Sequence, residues 1–72
     1  MAQLTTEQYD ALERAIAMGQ RIVVMRRGTE YVVVPERLRI AQGGETLEAR
    51  NPTTGDRLAL HLDEIDTIEV VR

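Results

Sequence analysis

The 72-residue chain has no cysteine, serine, lysine, tryptophan or phenylalanine, and a single histidine, His61. Serine and cysteine nucleophiles, a Schiff-base lysine, a cysteine zinc site and an iron–sulfur centre are thereby excluded. No disulfide can form, so stability must come from burying apolar side chains. A chain this short is expected to bury only about 60% of the surface its unfolded form exposes. Long apolar runs are also missing, since the longest span four residues, and Met1-Ala2-Gln3-Leu4-Thr5 does not set a basic stretch before an apolar one. Neither a signal peptide nor a membrane span is expected, and the chain reads as a soluble, cytoplasmic single domain over residues 1–72.

Charge is present but unevenly placed. The formal net charge is −3 with a pI near 5.0, which argues against a nucleic-acid binder with a broad basic footprint. Residues 1–20 carry −2, residues 21–39 carry +3, and residues 40–72 carry −4. The basic strip therefore lies in mid-chain.

Thr5 and Gln8 fit a capping box, with Leu4 and Tyr9 placed as its hydrophobic staple, and they predict a helix over about 6–18. Tyr9, Leu12 and Ile16 form an apolar stripe that Ala11, Ala15 and Met18 widen, Asp10 and Arg14 are an i,i+4 ion pair, and Gly19 stops the helix. Beyond it the period changes to two. Ile22-Val23-Val24 and Tyr31-Val32-Val33-Val34 flank Arg27-Gly28 and predict a hairpin, with Pro35 closing the second run or lying on an edge. Leu38 and Ile40, then Leu47 and Ala49, alternate with polar residues about a turn at Gly43-Gly44. Residues 51–56 read as a loop with Pro52 in a type I turn and Gly55 at positive φ. Leu58, Leu60 and Leu62 alternate in a further strand, Asp63 caps a single helical turn, and a last strand runs over 67–71. One helix and five short antiparallel strands imply a mainly β domain. Its bent sheet curls into a small barrel over about 20–71, lined by the leucines at 38, 47, 58, 60 and 62, with the helix over one open end.

From Val33 to Ile65 the landmarks resemble the WYL domain, a small Sm-like barrel of bacterial transcription regulators. Val33-Val34-Pro35, Leu38, Gly43, Leu47, Ala49 and Leu62-Asp63-Glu64-Ile65 stand where that family has its Val-x-Pro, following leucine, glycine turn, Leu-x-Ala and Leu-Asp-Arg-Ile segments. The resemblance covers roughly residues 9–71. It implies a five-stranded antiparallel Sm-like barrel and a ligand-sensing role toward nucleic-acid or nucleotide species, carried by aromatic and basic groups. The departures fall on those groups. Glu45-Thr46 replaces the Trp-Tyr pair, Glu64 replaces the late arginine, and Met25 or Arg26 stands near the position of the family's first-strand tyrosine.

Pairing arithmetic sharpens two candidate sites. A two-residue turn at Gly43-Gly44 sets Leu38 opposite Ala49, Ile40 opposite Leu47, Arg39 opposite Glu48 and Arg37 opposite Arg50, and a loop over 51–56 sets Arg57 opposite Arg50, Leu58 opposite Ala49 and Leu60 opposite Leu47. Arg37, Arg50 and Arg57 then form an outward row. They either bind an anion such as phosphate, or splay into solvent and pair with Glu48 and Asp56. In the first hairpin Ile22 opposes Val33 and Val24 opposes Tyr31, which leaves Val23, Met25, Val32 and Val34 on the other face. Both faces are apolar, so the outward set is covered either by the helix or by another subunit.

His61 lies beside Asp63 and Glu64 without the partners of a metal site, and Asp63, Glu64, Asp66 and Glu69 lack the spacing of a calcium loop. No catalytic residue, metal or cofactor is expected. The reading is a non-enzymatic module for protein interaction or self-assembly, with a homo-oligomer or protein partner. Its alternative is a WYL-like regulatory module that binds a nucleotide or nucleic-acid phosphate through Arg37, Arg50 and Arg57.

Overall fold

The computed structural model describes residues 4–41 and 43–71. Its helix α1, Thr6–Met18, begins as the capping box requires. Thr5 Oγ1 accepts from the Gln8 N–H and Gln8 Oε1 accepts from the Thr5 N–H, both at 3.1 Å. Gly19 ends the helix at φ +67°, a left-handed conformation that glycine adopts without a Cβ clash. Leu12 and Ala15 are fully buried, with Leu4, Tyr9 and Ile16 packed against the same cluster. Met18 does not widen the stripe, being 71% exposed. Asp10 and Arg14 form no ion pair among the described residues, as expected for an exposed pair whose attraction water screens.

Five antiparallel strands follow: β1 (Ile22–Arg26), β2 (Thr29–Ala41), β3 (Gly44–Arg50), β4 (Arg57–His61) and β5 (Ile65–Val70), in the order β4-β3-β2-β1-β5. The β1–β2 hairpin has the expected register, Ile22 opposite Val33 and Val24 opposite Tyr31. Arg27 and Gly28 both take positive φ, +50° and +79°, which suits a two-residue turn to the right-handed twist of its strands.

Pro35 neither closes a run nor lies on an edge. β2 runs through it as one 13-residue strand in the middle of the sheet. Pairing with β1 ends at Val33, pairing with β3 begins at Val34, and the register shifts between Pro35 and Arg37. A residue with no N–H is tolerated there because the ladder is already interrupted.

The second hairpin closes at Ala41 opposite Gly44, not around Gly43-Gly44. Leu38 therefore faces Leu47, Arg37 faces Glu48, Arg39 faces Thr46, and Ile40 faces Glu45. Each partner moves by two positions, so every side chain keeps its face while its neighbour changes. Ile40 is carried beyond Leu47 and is 85% exposed. The β3–β4 register is as expected, with Leu47 opposite Leu60, Ala49 opposite Leu58 and Arg50 opposite Arg57.

The leucine lining holds. Leu47, Leu60 and Leu62 are buried, and Leu38 and Leu58 pack against them half-buried. The barrel does not close, because β4 and β5 are the two edges of a bent open sheet. A 3-10 turn, Leu62–Glu64, leads from one edge to the other and lies against β3. It starts at His61 with no side-chain cap, so Asp63 sits inside the turn and does not cap it. The loop before β4 is held by Asn51 Oδ1, which accepts from the Thr53 and Thr54 N–H groups at 2.8 and 3.1 Å, and Gly55 takes φ +80°.

Candidate functional site

The outer surface of the sheet divides along β2. Ile22, Val24 and Val33 point into the core and are at most 2% exposed, so alternation turns Val23, Met25, Val32 and Val34 outward. Val23 and Val32 face each other directly. Val32 is 44% exposed, and the other three are half-buried beside their neighbours on adjoining strands. Helix α1 does not cover this stripe. Leu12 and Ala15 share a cluster with Ile22 and Val24, which places the helix on the inner side of the sheet.

Charges of opposite sign border the stripe. Glu30 lies opposite Met25, and Glu69 on β5 lies opposite Val23. At the other end Val34 lies opposite Arg50, and Arg21, Val34 and Arg50 line one open cleft of about 550 Å³ against the loop that contains Asn51. Arg21, Glu30 and Glu69 make no ion pair among the described residues.

The second half of the outer surface carries arginines. Arg50 and Arg57 are directly opposite, as expected, but Arg37 is not in their row. The shifted turn places Arg37 against Glu48, whose two oxygens take Arg37 Nε and Arg39 Nη1 at 2.8 Å each, and the extra residue at Glu36 sets Val34 opposite Arg50. Hydrogen bonds from Arg39 and then Arg37 hold the Glu48 carboxyl below its ordinary range. Arg50 Nη1 lies 3.8 Å from Glu36 Oε2, whereas Arg57 has no carboxylate within ion-pair distance among the described residues. Asp56, expected as a partner, pairs with none of the arginines there. Glu36 was missed as a partner because a bulge has no local sequence signature beyond a nearby proline.

Away from this surface, Glu64 pairs with Arg27 at 3.2 Å and Arg26 at 3.9 Å, and the Arg26 guanidinium lies 5.2 Å from the centroid of the Tyr31 ring. The Tyr9 hydroxyl donates to the Glu45 carboxylate, tying α1 to β3. That bond first, then burial and the Glu45 charge, push the Tyr9 phenol up to about 12. Glu45 stands where the resemblance puts an aromatic residue, and here it anchors the helix. Its neighbour Thr46 meets His61 Nδ1 at 3.4 Å on the outer face. No group of three metal-ligating side chains occurs among the described residues, and no helix is long and apolar enough to cross a membrane.

The chain matches no family model, no curated protein and no solved structure.

Proposed function

We propose that the chain is a non-enzymatic interaction module that associates through Val23, Met25, Val32 and Val34. One observation carries this reading: the helix packs on the inner face, so the outward side of the central hairpin has no helix over it and Val32 stays 44% exposed. Water contact with such a stripe is unfavourable, and a contiguous apolar surface on a small domain is relieved by association. The chain also lacks the nucleophiles named above.

Sedimentation equilibrium across a concentration series tests it. The expected result is a mass that rises with concentration, persists as salt is raised, and falls to the monomer value in Val32→Glu while circular dichroism stays unchanged. A monomer at every concentration, or a Val32→Glu protein that associates like the parent, overturns the reading.

A second reading is favoured by a separate observation, the Arg50 and Arg57 pair in which Arg57 has no described carboxylate partner. It is a WYL-like regulatory module that holds a nucleotide or nucleic-acid phosphate there, with Arg37 joining only when it leaves Glu48. Such binding weakens steeply with salt and is lost in Arg57→Glu. Salt-independent binding, or none to an oligonucleotide, removes it.

A further inference from the structure

We propose that the occupant of the outer stripe is a second copy of this chain, related by a two-fold axis that crosses the strands at Val23 and Val32. The basic end of each protomer, Arg21 beside the Arg50 that Glu36 holds at 3.8 Å, then meets the acidic end, Glu30, of the other. The inference rests on the interaction reading above and goes further, naming the partner and the register.

The stripe has a direction. Along β2, Val34 beside Arg50 and Glu30 beside Met25 are four residues apart, about 13 Å at a strand's rise. An isologous interface reverses that direction in the partner, so each valine of the central pair meets its own copy and opposite charges meet at both ends. Glu69 lies opposite Val23 on the edge strand β5, so the axis sets it against its own copy; this is the one like-charge contact of the register, and the exposed edge position lets its carboxylate turn to solvent.

The area needed points the same way. A stable interface takes about 800 Å² from each partner, roughly a sixth of the 5083 Å² this molecule exposes. Four aliphatic side chains, three already half-buried, cannot supply that alone. The contact must spread onto Arg21, Arg50 and Glu30, and charges removed from water need opposite charges to face. A second copy supplies them without any further component.

Sedimentation equilibrium on Arg21→Glu, Glu30→Arg and their equimolar mixture tests the register. Each exposed substitution puts like charges together at both ends, so each variant alone is expected to self-associate about tenfold more weakly than the parent. In the mixture every end again pairs opposite charges, and association should return to within about threefold of the parent. If the parent associates and Val32→Glu does not, yet neither charge variant weakens it or the mixture fails to recover, the two-fold register is wrong and the interaction reading survives. A parent that stays monomeric overturns both.

Discussion

The two halves of the outer surface share strand β2 and differ in how they meet water. From Thr29 to Val34 the strand turns Val32 and Val34 outward with no cover from the helix, whereas from Glu36 to Ala41 it turns out Arg37 and Arg39, which Glu48 holds together. The register shift beside Pro35 separates them. The charged half largely satisfies itself by pairing, while the apolar half is covered only by neighbouring strands and leaves Val32 44% exposed. In a domain whose single helix is committed to the inner face, the sheet has one side too many to cover.

Neighbouring positions on β2 give the largest expected contrast. Val33→Asp should abolish folding, since an unpaired carboxylate in the core costs several kcal/mol and a domain this small has little reserve, whereas Val32→Asp should leave the urea midpoint nearly unchanged from that of the parent measured at dilutions where it is monomeric. Equal midpoints for the two would erase the inner and outer distinction.

Tyr9→Phe comes next, with an expected loss of about 1 kcal/mol for the bond to Glu45. Because folding raises the Tyr9 value from 10.0 to about 12, this contribution is complete below pH 10 and declines as pH rises from about 10 through 12. Absorbance titration at the phenolate band in a Tyr31→Phe background, beside denaturation at matched pH, checks both. A Tyr9 that ionises near 10 would show the helix undocked from β3.

Arg27→Asn should stabilise the first hairpin by about 0.5 kcal/mol, since asparagine tolerates positive φ better than arginine, with the loss of the exposed Arg27 contact to Glu64 offsetting part of the gain. Thermal midpoints in low and high salt separate the two contributions. The smallest effect on folding is expected from Glu48→Gln, whose thermal midpoint should fall only slightly below the parent's near neutral pH, because its ion pairs are exposed. Releasing Arg37 and Arg39 should strengthen retention on an immobilised phosphate resin, and unchanged retention would show the pairing is not what quiets this half. With its value lowered, the parent's Glu48 contribution is present above the unfolded carboxylate value and is lost as pH falls through the folded one.

Much of this was legible in the residues. Thr5 with Gln8 marked the start of the helix and Gly19 its end, while alternation sorted Val33 from Val32 and Leu47 from Glu48. The site was half legible. Val23, Met25, Val32 and Val34 do share the outer face and Arg50 does oppose Arg57, but Arg37 belongs with Glu48. A hairpin of adjacent glycines can close at more than one position, and the bulge that adds Glu36 shows only when two strands are laid side by side.

The chain on its own determined which side of each strand is apolar and where the helix begins and stops, because these follow from contacts a few residues apart and from a period of two that survives a two-position slip. Tertiary structure alone decided which charges meet, that the sheet stays open between β4 and β5, and that the helix packs inside and leaves Val32 partly exposed. Those outcomes depend on how segments far apart in sequence share a limited supply of apolar surface, and no local pattern records that competition.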